Sequence, residues 1–274
     1  MVTRNDICTA LRQLGVAEGD LLLIHSSFKS LGPVDGGAET VISGALDALG
    51  ESGTLVLPTF AQKDFAHAYE TWHLDKPSDT GWLTEYFRTR PGSVRSDQAT
   101  HSVAACGAKA QWLTQTHGHT HKRFGSMGDT PFSADSPWEK MYQENAKILL
   151  LGIEAPYITF RHYAEYVYME RVLKKLEPHP EYDSMKDQLR QMGKSGVWPH
   201  VNNEWVAAQL AQTGQVFTAQ CGNAKLTMVH ARPFVDFVLE QLEKNENQIL
   251  WRIDGVWDTD AWIAWRDRWA QLTE

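Results

Sequence analysis

His162 and Glu165 are three residues apart, a pairing of types that could serve acid–base chemistry. On a helix, residues i and i+3 share a face, so the carboxylate can reach the imidazole. A carboxylate neighbour orients an imidazole and raises its pKa, while a helix N-terminus lowers it. A histidine held near neutrality in this way suits a general base. The same spacing also suits a surface ion pair worth about 0.2–0.5 kcal/mol. A second candidate is His25-Ser26-Ser27-Phe28-Lys29-Ser30-Leu31-Gly32-Pro33-Val34-Asp35-Gly36-Gly37. Small residues before a helix let backbone N–H groups approach a phosphate, and Lys29 adds a charge. No Gly-Lys-Ser/Thr closes this loop and Gly-x-Gly-x-x-Gly is absent, so an ordinary strand-to-helix turn stands beside phosphate binding. A third candidate is His117-Gly118-His119-Thr120-His121. It has no nearby cysteine and no His-Glu-x-x-His pattern, so a solvated loop is expected there and no metal.

The elements that position these residues follow from apolar patterning. Leu21-Leu22-Leu23-Ile24 and Gly53-Thr54-Leu55-Val56-Leu57-Pro58 read as buried strands, with a helix over 38–49 between them. A strand–helix–strand unit implies a parallel pair. Lys147 to Ile153 is the strongest strand, and an amphipathic helix follows over 159–176 with Thr159 as N-cap. His162 and Glu165 then lie just beyond a strand's carboxyl end, where open α/β sheets bind ligands. A helix is expected over 81–90, a strand over 101–107 and a late helix over 226–242. Residues 61–80 and 114–136 are expected as loops, and 177–206 as a mobile, Trp-punctuated insertion. The fold class is α/β: a mixed or mostly parallel central sheet flanked by helices, with 1–274 as one domain.

Bulk properties exclude several classes. Of 274 residues, 42% are apolar and 22% charged, enough to bury a sizeable core. The formal charge of −8 disfavours nucleic acid and suits a cationic small-molecule substrate. No apolar run approaches the roughly 20 residues that span a bilayer, and the N-terminus lacks a signal peptide's apolar core, so no membrane association is expected. Three widely spaced cysteines, Cys8, Cys106 and Cys221, suggest a reducing cytoplasm rather than a disulfide framework. A homodimer is compatible with the sequence.

Several motifs, in order, resemble the aminoglycoside 3-N-acetyltransferase (antibiotic N-acetyltransferase) family over roughly residues 3–240. They are His25-Ser26-Ser27 with Leu31-Gly32-x-Val34-x-Gly36-Gly37, the strand from Gly53 to Thr59, and Gly81-x-Leu83-Thr84-Glu85-x-Phe87-Arg88. Pro91-Gly92-x-Val94-Arg95-Ser96, Thr100-His101-Ser102-Val103-Ala104-Ala105-x-Gly107 and Pro131-Phe132-x-x-Asp135-Ser136-Pro137 follow, then Ile148 to Gly152 and His162-x-x-Glu165. The chain departs from the family pattern at Gln98-Ala99, where His-Pro is usual, and in 154–158, which lacks an expected Asn.

The resemblance implies acetyl-coenzyme A as donor and a 2-deoxystreptamine amine of an aminoglycoside as acceptor, with His162 as base and Glu165 supporting it. It places the cofactor on His25, Ser26, Ser27, Lys29, Ser30, Gly32, Val34 and Gly36, and on Ser102, Val103, Ala104 and Phe132. A polycationic acceptor calls for carboxylates and flat side chains, and Asp64, Tyr69, Glu70, Trp72, Asp75 and Asp79 are the candidates. Direct transfer is expected, with Cys106 structural, since no base lies beside it in the sequence. Rival readings are another small amine as acceptor, a non-catalytic binder of a cationic ligand, and a metal-dependent hydrolase built on the 117–121 histidines.

Overall fold

The computed structural model describes residues 1–244, 249–250 and 259–274. In chain order the elements are α1 (Arg4–Gln13), β1 (Leu21–Ser26), α2 (Gly37–Leu49), β2 (Thr54–Pro58), α3 (Ala68–Thr71), α4 (Trp82–Thr89), β3 (Val94–Arg95) and β4 (Val103–Gly107). Then come α5 (Ala110–Thr114), α6 (Pro137–Gln143), β5 (Lys147–Leu151), α7 (Phe160–Leu176), α8 (Tyr182–Lys194), α9 (Asn203–Gln212), β6 (Phe217–Cys221), β7 (Ala224–His230), α10 (Ala231–Glu243) and α11 (Thr259–Thr273).

The strands form one seven-stranded mixed sheet in the order β3-β4-β2-β1-β5-β7-β6. The parallel pairing inferred for the first two strands is present, and β1 also pairs in parallel with β5. Every other pairing is antiparallel. The sheet is therefore mixed rather than mostly parallel, with its three parallel strands at the centre.

Strand side chains alternate between faces, and both faces are covered. Leu21, Leu23, Val56, Ile148 and Leu150 enter one core with residues of α5 to α11. Leu22, Ile24, Leu55, Leu57, Leu149 and Leu151 enter the other with α1, α2 and α4. Burial on both faces explains why β1 and β5 read as unbroken apolar runs. Among the described residues, no helix is long and apolar enough to cross a membrane.

Two expectations are corrected. The 177–206 segment is not a loose insertion: it contains α8 and the start of α9, and Trp198 and Val201 are wholly buried. Residues 226–230 form β7 rather than the start of a helix, which begins only at Ala231. Leu226 and Val229, three apart, fit a helical period, but β7 pairs with both β5 and β6, and the two side chains enter opposite cores. The β6–β7 turn rests against the first loop: a Cβ on Gly222 would lie 2.4 Å from the Leu31 carbonyl oxygen.

Candidate active site

A cleft of about 830 Å³ opens at the carboxyl ends of β1 and β2 and before α7. Its walls come from His25 to Lys29, Pro58, Phe60 and Gln62, residues 79–84, His101, and the stretch from Ile153 to His162. Beta1 has β2 on one side and β5 on the other, so the cleft occupies the topological switch point of the parallel strands.

Residues 155–157 form a 3-10 turn, and α7 starts after Thr159. Thr159 holds the N-cap position but makes no side-chain cap bond. His162 lies in the first turn. Its Nδ1 is 2.8 Å from Glu165 Oε2, and Glu165 Oε1 accepts the Val201 N–H at 2.9 Å. Arg161 Nε donates to His162 Nε2 at 3.3 Å. These bonds assign one tautomer: Nδ1–H donates to the carboxylate, and Nε2 keeps its lone pair. Burial pushes the His162 imidazolium well below 6.5, and the Arg161 guanidinium adds to the effect. Burial also pushes Glu165 up to about 7, against the pull of His200 and Arg161. In this coupled pair both shifts disfavour buried charge, so the neutral imidazole is the resting form.

Two further histidines flank His162. His101 sits tilted between Phe60 and Phe132, 4.8 Å from each ring, and lies 5.9 Å from His162. His200 lies 6.1 Å from His162 on the other side. His162, Glu165 and His200 bring two imidazoles and a carboxylate within 4.8 Å of one another, a set that could ligate a divalent cation; the adjacent Arg161 opposes one.

The residues expected at the cofactor divide. His25, Ser26, Ser27 and Lys29 line the cleft, and His25 Nε2 is buried without a hydrogen-bond partner. Ser30 faces a neighbouring cavity of about 540 Å³ and donates to the Ser27 carbonyl. Gly32, Val34 and Gly36 shape the loop outside the cleft walls, with Gly36 at φ 73° capping α2. Ser102, Val103, Ala104 and Phe132 are fully buried and do not reach the cleft. Ser102 instead donates to the Thr59 carbonyl, and Arg95 bonds both residues.

The residues expected at the acceptor divide more sharply, because only Asp79 lines the cleft. Asp64 is exposed and pairs with His67, and Glu70 and Asp75 are exposed. The Tyr69 hydroxyl donates to the Met127 carbonyl, and Trp72 donates to Asp97 beneath the Arg95 guanidinium. Both aromatics thus anchor their loop. The 117–121 tract disperses: His117 is buried with both ring nitrogens engaged by Ser96 and the Pro131 carbonyl, while His119 and His121 are exposed. Cys106 is partly exposed and does not line the cleft. Arg161, His200 and Tyr157 were not assigned roles from sequence. Arg161 could have been read from its place beside His162, whereas no local signal brings His200 to the site.

Acidification tests this burial. Burial pushes His25, His117 and His200 down to about 4 from 6.5. Their stabilisation is complete above pH 6.5 and lost as pH falls toward 4, because the unfolded chain takes up protons first. Glu165 runs the other way: at about 7 rather than 4.5, it favours the fold increasingly as pH drops through 7. Three histidines outweigh one carboxylate, so the urea midpoint should fall steadily below pH 6.5. A midpoint that stays level down to pH 4.5 would contradict the assignment.

Residues 23–243 match the sequence pattern of the aminoglycoside 3-N-acetyltransferases. The chain is 31% identical to an aminoglycoside N(3)-acetyltransferase III of Salmonella sp, over 89% of this chain and 93% of the relative. It is 33% identical to the type VII enzyme of Streptomyces paromomycinus, over 60% of each. The fold resembles that of AAC-IIIb in its binary complex with CoASH, with a TM-score of 0.69 and 21% identity, covering 89% of this chain and 97% of the other. From its sequence match across most of its length, the chain belongs to the aminoglycoside 3-N-acetyltransferase family, a family of acyltransferases.

Proposed function

We propose that the chain moves an acetyl group from acetyl-coenzyme A to a primary amine, with His162 as general base and Glu165 orienting it. The observation that carries this reading is the 2.8 Å His162–Glu165 bond in a cleft that also exposes Ser26, Ser27 and Lys29. Family membership and a solved relative complexed with CoASH support the donor. The walls fit such a ligand: Lys29 offers a cation for phosphate, and the unpartnered His25 Nε2 suits an amide group. Ser26, Ser27, Lys29 and His25 are therefore assigned to direct contact. Ser30, Gly32, Val34 and Gly36 shape the loop, while Ser102, Val103, Ala104 and Phe132 support the walls from behind.

Acetyl-coenzyme A supplies the acetyl group as a thioester. The acceptor reaches the site after losing one proton from its ammonium form. His162 Nε2 takes a second proton as the nitrogen bonds to the carbonyl carbon, and returns it to the sulfur as the C–S bond breaks. The products are an amide and the free thiol. No acyl-enzyme is required.

The relatives' names point to the 3-amino group of aminoglycosides as the first acceptor to test. A different small amine is the second reading, favoured by Asp79 being the only member of the expected acidic set in the cleft. The test is thiol release from acetyl-coenzyme A against a panel of aminoglycosides and simple amines, with the product identified by mass. Release coupled to N-acetylation supports the reading; binding of amines without any release would leave a non-catalytic binder instead. Exhaustive chelation is expected to leave turnover within about twofold, since no step here needs a Lewis acid. Loss of turnover that zinc restores would overturn the mechanism.

A further inference from the structure

We propose that the exposed indole of Trp82 is the platform on which the adenine ring of coenzyme A stacks. This rests on the acetyl-transfer reading above and deepens it, because it says where the donor's nucleotide end lies.

Trp82 opens α4 and lines the cleft, yet 58% of its surface is exposed. Tryptophans of the core are not left in this way: Trp138, Trp198 and Trp262 are almost wholly buried. An indole exposed on a cleft wall presents a flat apolar face that a flat ring can cover. Three elements fix its position. Phe28 meets it edge-to-face with ring centres 4.8 Å apart, and Tyr86 lies 6.0 Å away one turn along α4. A Cβ built on Gly37, the first residue of α2, would lie 3.8 Å from Trp82 Cη2. A platform held in place before the ligand arrives costs little ordering on binding.

The surroundings favour a nucleotide over a sugar. Lys29 follows Phe28 and lines the same cleft. Gly36 and Gly81, the N-caps of α2 and α4, offer no side-chain hydrogen bond to the helix ends beside the indole. Two such helix N-termini and a lysine make this neighbourhood receptive to phosphate. The adenine of coenzyme A sits on a ribose that carries a phosphate and a diphosphate, so a base stacked here brings both toward those donors. The nearby acids are engaged: Glu39 pairs with Arg90 at 2.9 Å, and Asp79 accepts the Lys63 N–H at 2.6 Å. An aminoglycoside ring on the same indole would bring ammonium groups to the lysine and the helix ends instead.

The test measures binding by calorimetry for coenzyme A and for phosphopantetheine, which lacks the adenosine part. Trp82→Ala should raise the Kd of coenzyme A by about tenfold or more, the scale for removing one stacked base, and leave phosphopantetheine within about twofold. Trp82→Phe should lose a smaller part of the affinity, since a phenyl ring still offers a face, and it guards against an unfolded alanine variant. The acceptor KM, read at saturating acetyl-coenzyme A, should move by less than about twofold. Equal weakening of both ligands would place the indole on the pantetheine arm and overturn the inference. So would unchanged coenzyme A affinity in both variants, or a rise confined to the acceptor KM; each of these leaves acetyl transfer standing. Failure of the unaltered protein to bind coenzyme A would overturn the acetyl-transfer reading, and the inference with it.

Discussion

Replacing His162 with alanine should lower kcat by about 10²–10⁴-fold, the usual scale for removing a general base. Coenzyme A affinity should change by less than about threefold, because the base faces the acceptor rather than the donor's phosphates. The wild-type rate should fall on the acid side as His162 is protonated. Burial and Arg161 hold that imidazole below 6.5, so the midpoint of this limb should lie below 6.5 and the limb should vanish in the variant. Glu165→Gln should cost less. It keeps the length of the side chain but replaces one oxygen with an NH₂, which must then face a donor, either His162 Nδ1 or the Val201 N–H. A folded His162→Ala protein with near-normal turnover would remove His162 from the mechanism, and His101 would become the base to test.

The second large effect is expected far from the reacting atoms. Trp198 is wholly buried and packs against Tyr166 and Phe124 at 5.9 and 6.2 Å. Trp198→Ala should destabilise the fold by about 3–5 kcal/mol, through lost transfer energy and the cavity left behind. Three residues on, Val201 holds Glu165 through its backbone N–H. Loosening this segment should therefore also lower kcat at temperatures where the variant remains folded. Urea unfolding measures the first effect and turnover measures the second. A loss of less than about 1 kcal/mol would mean that the segment is as loose as its polarity suggests.

Sequence was most informative where one local rule dominated. The runs at 21–24, 54–58 and 147–151 could hardly be anything but strands buried on both faces. The i, i+3 spacing of His162 and Glu165 led directly to a real bond. It failed where partners distant in sequence decide. His200 reaches the site only because α8 packs on α7 and α9 packs on the 155–157 turn and α10, and nothing near Pro199 announces that. Val103 and Ala104 belong to a recognisable motif, yet strand pairing with β2 turns them into the core. The acidic 61–80 loop looked like a cation trap. Its orientation is set instead by Arg95, which bonds the Leu74, Lys76 and Thr59 carbonyls and lies over Trp72. A loop's composition does not say which way it will be pinned.

The central place of β1 in the sheet has a consequence for synthesis. Its two partners arrive at very different times: β2 lies some thirty residues downstream, whereas β5 follows the intervening β3 and β4 and starts at Lys147. During translation one edge of β1 stays open until just over half the chain has emerged, and an unpaired apolar strand edge is a template for aggregation. A ribosome stalled before residue 147 would therefore carry a sticky, unclosed half-sheet. Pairing over such separations also closes slowly. The last parts of the pocket, from 153 to 162 and then 200, come out after that edge is sealed, so binding competence is acquired late in the growth of the polypeptide.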